Sequence, residues 1–316
     1  VTLFKPATAI RVRYSMYPDT PVPPDEPYAE NPPDGAVIDY YLKHDAKGPV
    51  RIEILGEKGR VVRTFASTDA AEQPRDVGNW PYYWFRPPQA MGTKAGLQRY
   101  VWDLHFTPPG GACELPISAT PFNTKCEPEG PWVRPGTYTV RLTVDGTSYT
   151  QPLTVRMDPR VRTPAAALEQ QGTLSLALYD AALAAPAVAK RIRTVRTQLS
   201  ARAGAATGEL ATALIALANR LDTLAGPDQT TAGGRGGRGG AGPGATTESF
   251  SSIAGKFLPV MTLLQGADNA PTTQAIAVAN ARLKGYAALN AAWEAITKTE
   301  LPKLNARLQT AGAQPV

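Results

Sequence analysis

The sequence predicts a protein of multidomain, β-then-α class: an antiparallel immunoglobulin-like β-sandwich followed by an up-and-down α-helical bundle. Three observations predict it. Between residues 36 and 160, apolar residues recur with period two in short runs bounded by glycine and proline. After "MDPRVRTP" the composition changes abruptly to alanine and leucine, with apolar positions three and four apart. At 316 residues the chain is long enough for two domains of ordinary size, each with its own core.

Residues 1–35 alternate briefly in "IRVRY" and then become proline-rich, "YPDTPVPPDEPYAENPPDG". Proline fixes φ and has no N–H to donate, so this stretch reads as an extended, surface-lying lead-in and not as a ladder strand. The sandwich is expected over 36–160. "AVIDYYL" opens it, and "VRIEILGEKGRVVRTF" follows as a hairpin with Val50, Ile52 and Ile54 on one face. In "GLQRYVWDLHF" the buried set is expected to be Gln98, Tyr100, Trp102 and Leu104. "PGTYTVRLTVDGTSYTQPLTVRMD" carries two β-rich runs about Asp145-Gly146, a tight-turn pair whose glycine tolerates positive φ. About six short strands with no helical period among them argue for a sandwich.

Two irregular segments interrupt the strands. "NWPYYWFRPPQAMG" holds Trp80, Tyr82, Tyr83, Trp84 and Phe85, and "EPEGPWVRPG" holds Trp132. Such aromatic loops either cap their own sandwich or anchor a partner, because large exposed apolar patches are uncommon on isolated monomers. Both readings stand, and these six residues are the candidate interface. The two cysteines, Cys113 and Cys126, lie in the second segment. Their pairing is expected, closing a short loop worth roughly 3 kcal/mol in the chain-entropy account and implying an oxidising compartment; the alternative is two unrelated thiols. The spacing, with no nearby histidine, is not a zinc pattern.

The helical bundle is expected over 163–312. Thr163-Pro164 reads as a helix start, and Leu168, Leu174, Leu178 and Leu183 carry a first helix to about residue 184. "PAVAKRIRTVRTQLSARAG" begins a second, with Ile192, Val195 and Leu199 in its stripe. A third has Leu210, Leu214, Leu217, Leu221 and Leu224 on one face; a fourth runs near 247–265, and a long fifth bends near Pro302. The stripes read as core and not as a cofactor box. "TTAGGRGGRGGAGPGATT" joins the third and fourth helices. RGG segments that bind RNA have many repeats and interleaved aromatics; here Arg235 and Arg238 stand without an aromatic, so the tract reads as a loop, a further candidate interface held by some contact.

Composition narrows the function classes. Hydrophobic residues are 43% and charged residues 19%, a globular balance. No stretch approaches the roughly 18 to 20 uninterrupted apolar residues of a membrane-spanning helix, so no transmembrane segment is expected. The charge of +6 and pI near 9.3 favour anionic partners in general, but the basic residues form no block, and no specific nucleic-acid surface is expected. The chain opens at Val1 without an initiator methionine or signal segment, which leads to the expectation of a mature or clipped exported product.

Machinery for common chemistries is not found in the sequence. His44 and His105 fall in different strand regions, and there is no H-E-x-x-H, G-x-S-x-G, Walker loop or strand-borne G-x-G-x-x-G. Asp34, Asp39, Glu53 and Asp103 are conceivable glycosidase carboxylates, each better explained by a turn or a polar strand face. Calcium at "DYYLKHDAKG" or near Asp145 lacks regular oxygen ligands. The reading is therefore of a chain that is not an enzyme, with no catalytic residue, no cofactor and no metal ligand set.

The strings "LFKPATAIRVR", "PPDGAVIDYYL", "GPVRIEILGEKGRVVRTF", "GLQRYVWDL" and "PGTYTVRLTVDGTSYTQPLTVRMDPRV" together resemble the region that follows the β-propeller in bacterial exported, sortilin-like BNR-repeat proteins. That family is labelled glycosyl hydrolase-like or photosystem II stability/assembly factor-like. The resemblance covers most of residues 1–160 and, more loosely, the helices. It implies a periplasmic or extracellular protein with a FlgD-type immunoglobulin-like sandwich and a helical tail. The propeller itself has no counterpart in this sequence, so no catalytic residue is carried over. The expectation is a scaffold that binds other protein subunits and stabilises a larger, membrane-associated assembly, for which the family label names photosynthetic complexes as one host. The alternative is an accessory module of a carbohydrate-active propeller enzyme that takes polysaccharide.

Overall fold

The computed structural model describes residues 1–13, 25–27, 32–69, 89–110, 129–227 and 248–316. The chain divides into two compact units, one of Val1–Gly172 with Asp268–Ala270, the other of Thr173–Ala267 with Pro271–Val316. Strands precede helices.

The first unit holds eight strands among the described residues: β1 (Thr2–Leu3), β2 (Ala9–Arg11), β3 (Ala36–Leu42), β4 (Arg51–Leu55), β5 (Val61–Ala66), β6 (Gly96–Trp102), β7 (Gly136–Val144) and β8 (Thr147–Met157). They form a sheet of order β1-β3-β6 and another of order β2-β8-β7-β4-β5. All pairings are antiparallel except β2 with β8. Alternation sets the faces. Ile38, Tyr40 and Leu42 of β3, Ile52 and Ile54 of β4, and Val140, Leu142 and Val144 of β7 are buried, while their neighbours are less so. Ring contacts cross between the sheets, Phe65 with Tyr100 at 4.6 Å and Trp102 with Tyr138 at 5.8 Å, so both sheets contribute to one core. Asp145 (φ 48°) and Gly146 (φ 80°) make the β7–β8 turn in the left-handed region.

The lead-in departs from its expectation. Thr2–Leu3 and Ala9–Arg11 are ladder strands, with Ala9, Ile10 and Arg11 paired in order to Val155, Arg156 and Met157. The prolines begin only at Pro18, apart from Pro6 between the two strands, so the N–H groups of β2 are free to bond the outer edge of β8.

The helices are α1 (Ala165–Ala205), α2 (Gly208–Ala225), α3 (Phe250–Gln265), α4 (Thr273–Ala295) and α5 (Leu301–Thr310). The expected break between the first two helices is absent: α1 runs through Pro186. An interior proline removes one hydrogen bond, but Ala185, Val188, Ala189 and Ile192 are buried on one face across it, and that packing carries the helix. In α2 the buried stripe is Leu214, Leu217, Leu221 and Leu224. Ser249 and Ser252 form a reciprocal capping box at the start of α3, and Thr272 accepts from Ala275 N–H at the start of α4. Before Pro302 the helix passes through a π-helical segment, Ile296–Glu300, which leads directly into α5. Over an 18-residue window α1 is long and apolar enough to cross a membrane, and 44% of that window is buried within the protein.

Candidate functional site

Among the described residues of the first unit, a cluster of chemically capable side chains surrounds Trp132. It begins where β6 ends. Leu104, fully buried, takes φ 61°, a left-handed conformation that costs an L-residue roughly 1–2 kcal/mol. This reverses the chain so that the Trp102 indole N–H donates to His105 O at 2.9 Å. The His105 N–H in turn donates to Asp103 Oδ1 at 3.3 Å, and His105 Nδ1 lies 2.8 Å from Asp103 O. A carbonyl only accepts, so Nδ1 carries the proton. The other ring nitrogen, Nε2, lies 3.8 Å from Glu129 Oε2.

A second segment is drawn against this turn. Phe106 N–H donates to Pro131 O at 3.0 Å and Val133 N–H to Leu104 O at 2.8 Å. The approach requires Gly130, where a Cβ would stand 2.2 Å from Phe106 O. Trp132 then sits opposite His105, their ring centroids 3.9 Å apart.

Two cations complete the cluster. Arg11 of β2 and Arg13 just beyond it place their guanidinium carbons 5.7 and 5.3 Å from the Trp132 ring centre. Arg11 donates to Val133 O at 3.0 Å and pairs with Asp268, while Arg13 Nε lies 2.9 Å from the same carboxylate. One carboxylate thus serves two guanidiniums, and Arg11 Nε and Arg13 Nη2 are buried without a hydrogen-bond partner. Burial lowers the proton affinity of Arg11, and Asp268 opposes that shift.

Of the sequence-predicted site residues, Trp132 alone is described, and it lies half-buried against its own unit. Cys113, Cys126, Trp80, Tyr82, Tyr83, Trp84, Phe85, Arg235 and Arg238 lie outside the described residues. Two of the four carboxylates considered for acid–base work, Asp39 and Glu53, are drawn into ion pairs. Arg99 forks onto Asp39 at 2.7 and 2.8 Å, and Arg141 donates to Glu53 at 2.8 Å. Each bond holds its carboxyl below the ordinary range, which suits a fixed anion and not a proton donor. Near the loops considered for calcium, Asp145 accepts from Lys47 and Gly48 N–H, and Asp45 from Ala95 N–H. His44 is exposed.

A second feature lies on the outward face of the three-stranded sheet. Tyr41 pairs in register with Thr2 on one side and Leu97 on the other. Phe4 N–H extends β1 by donating to Asp39 O. Phe4 and Tyr41 are 44% exposed and Leu97 64%, so three large apolar side chains share this face with the Asp39–Arg99 pair. Gln89 closes part of the β6 edge by exchanging side-chain hydrogen bonds with the Val101 backbone.

No family model, curated protein or solved structure matches the chain.

Proposed function

We propose that this protein is a non-enzymatic, exported scaffold: an accessory subunit that binds other proteins and stabilises a larger, membrane-associated assembly, with a photosynthetic complex as one host. The reading takes the first unit as an immunoglobulin-like sandwich of the kind that follows the propeller in sortilin-like BNR-repeat proteins, and the second as an up-and-down bundle. The observation that carries it is the outward sheet face, where Phe4, Tyr41 and Leu97 are exposed together around one ion pair. An apolar centre with a polar rim suits a protein partner.

The test is substitution of Tyr41 and Leu97 together by Glu, followed by co-purification from the native source. The side chains are solvent-facing, so stability is expected to change by less than about 1 kcal/mol, while the co-purifying proteins are lost. Unchanged co-purification of the folded variant contradicts the reading. A polysaccharide-binding accessory module is the second reading, favoured by the exposed Tyr41 ring beside charged hydrogen-bonding groups. It predicts retention on insoluble polysaccharide that Tyr41→Ala abolishes.

A further inference from the structure

We infer that Asp103, His105 and Glu129 form a site for one divalent transition-metal ion of the zinc class, an inference independent of the interaction reading. One ligand atom from each residue lies within 4.8 Å of the other two. Bonds of about 2.0–2.2 Å from nitrogen and carboxylate oxygen put the ligands of a tetrahedral zinc ion roughly 3.3–3.6 Å apart. Closing to that spacing requires both carboxylates, whose side chains are 23% and 33% exposed, to turn toward Nε2, Asp103 releasing the His105 N–H.

The imidazole is the fixed member. His105 is buried, its ring lies against Trp132, and its Nδ1 is held by the Asp103 carbonyl. Metal-bound histidines have this arrangement, with one nitrogen anchored on a carbonyl so that the other is oriented and made more basic. That other nitrogen is Nε2, the one that faces Glu129. Asp103 orients the ring through its carbonyl, and its carboxylate, with Oδ2 4.0 Å from Nδ1, would ligate by turning along the ring toward Nε2.

The donor set selects the ion. Two carboxylates and a neutral imidazole offer two negative charges to a dication, and the imidazole favours zinc over calcium or magnesium, which take oxygen. The exposed carboxylate edges leave room for water in the remaining coordination position. Bound there, the ion ties the turn after β6 to the Glu129–Val133 segment, which Gly130 already brings close.

The experiment is a calorimetric titration of the full chain, stripped with chelator, by Zn²⁺ alone, with tryptophan fluorescence followed in parallel because Trp132 adjoins His105. His105 is left intact because it belongs to the core; Glu129→Gln and Asp103→Asn keep side-chain size. The expected result is one equivalent of zinc bound by the parent chain, with affinity lowered at least about tenfold in each variant and circular dichroism of the metal-free variants unchanged. Absence of one-equivalent zinc binding in the parent, unaltered affinity in either folded variant, or equal binding of Ca²⁺ overturns the assignment.

Discussion

In the β unit the largest buried side chain, Trp102, has a polar atom that must be satisfied, and its indole N–H donates to His105 O. In the helical unit the largest fully buried side chains, Phe250 and Phe257, have none, and they meet the Tyr286 ring edge-on at 5.9 and 5.6 Å. The β core is closed by residues far apart in sequence, down to Asp268 beneath Arg11 and Arg13. The helical core is built from apolar stripes on each helix, rich in alanine and leucine residues whose local propensity already favours the helix. Substitutions around Trp102 are therefore expected to act through several coupled groups, and those at the buried phenylalanines of the helical unit through lost volume.

The largest expected effect sharpens that contrast. Phe257→Ala should cost about 3–5 kcal/mol by removal of buried apolar volume. Trp102→Ala should cost more, because it also leaves the His105 carbonyl without its donor. Denaturant unfolding of both variants checks this, and an equal or smaller loss for Trp102→Ala breaks the comparison.

Glycines give a smaller effect with opposite signs. Gly35 sits at φ 133°, with a Cβ position only 2.0 Å from Trp102 O, whereas Gly255 lies within α3 and a Cβ there meets nothing within 4 Å. Gly35→Ala should destabilise by about 1–3 kcal/mol, and Gly255→Ala should stabilise by about 0.5–1 kcal/mol. Melting temperatures moving in the same direction would contradict this.

The smallest effect is one of pH. Burial pushes the hydroxyls of Tyr40, which donates to Gly92 O, and Tyr138, which donates to Arg134 O, up to about 12. A raised value means that the folded state holds the proton more tightly. The contribution is complete below the ordinary value near 10 and is lost as pH rises through about 12. Tyrosinate absorbance during an alkaline titration should show Tyr40 and Tyr138 ionising late, and Tyr40→Phe should reduce the late-ionising amplitude by one residue.

The strand faces were legible because period two needs only local sequence: Ile52 with Ile54, and Tyr100 with Trp102, point inward as their alternation implies, while Gln98 of the same expected set is half-buried and Leu104 is buried from the turn beyond β6. The leucine stripe of α2 was legible for the same reason. Pro186 misled because its local penalty is outweighed by the buried face that spans it. The Trp132 cluster was illegible. Its members come from β2 and the residues just beyond it, the turn after β6, the segment at Glu129 and the residue Asp268, groups far apart in sequence. A signal existed in Gly130 beside Glu129 and Trp132, but a close backbone approach has no pattern in one sequence.

The central claim is that this protein works by holding others. Native mass measurement of the protein purified from its source, with every co-eluting chain identified, tests it most directly. A complex of fixed stoichiometry with other exported or membrane proteins, lost when Tyr41 and Leu97 are both changed to Glu, is the predicted result. A solitary chain at the mass of its own sequence would contradict the claim.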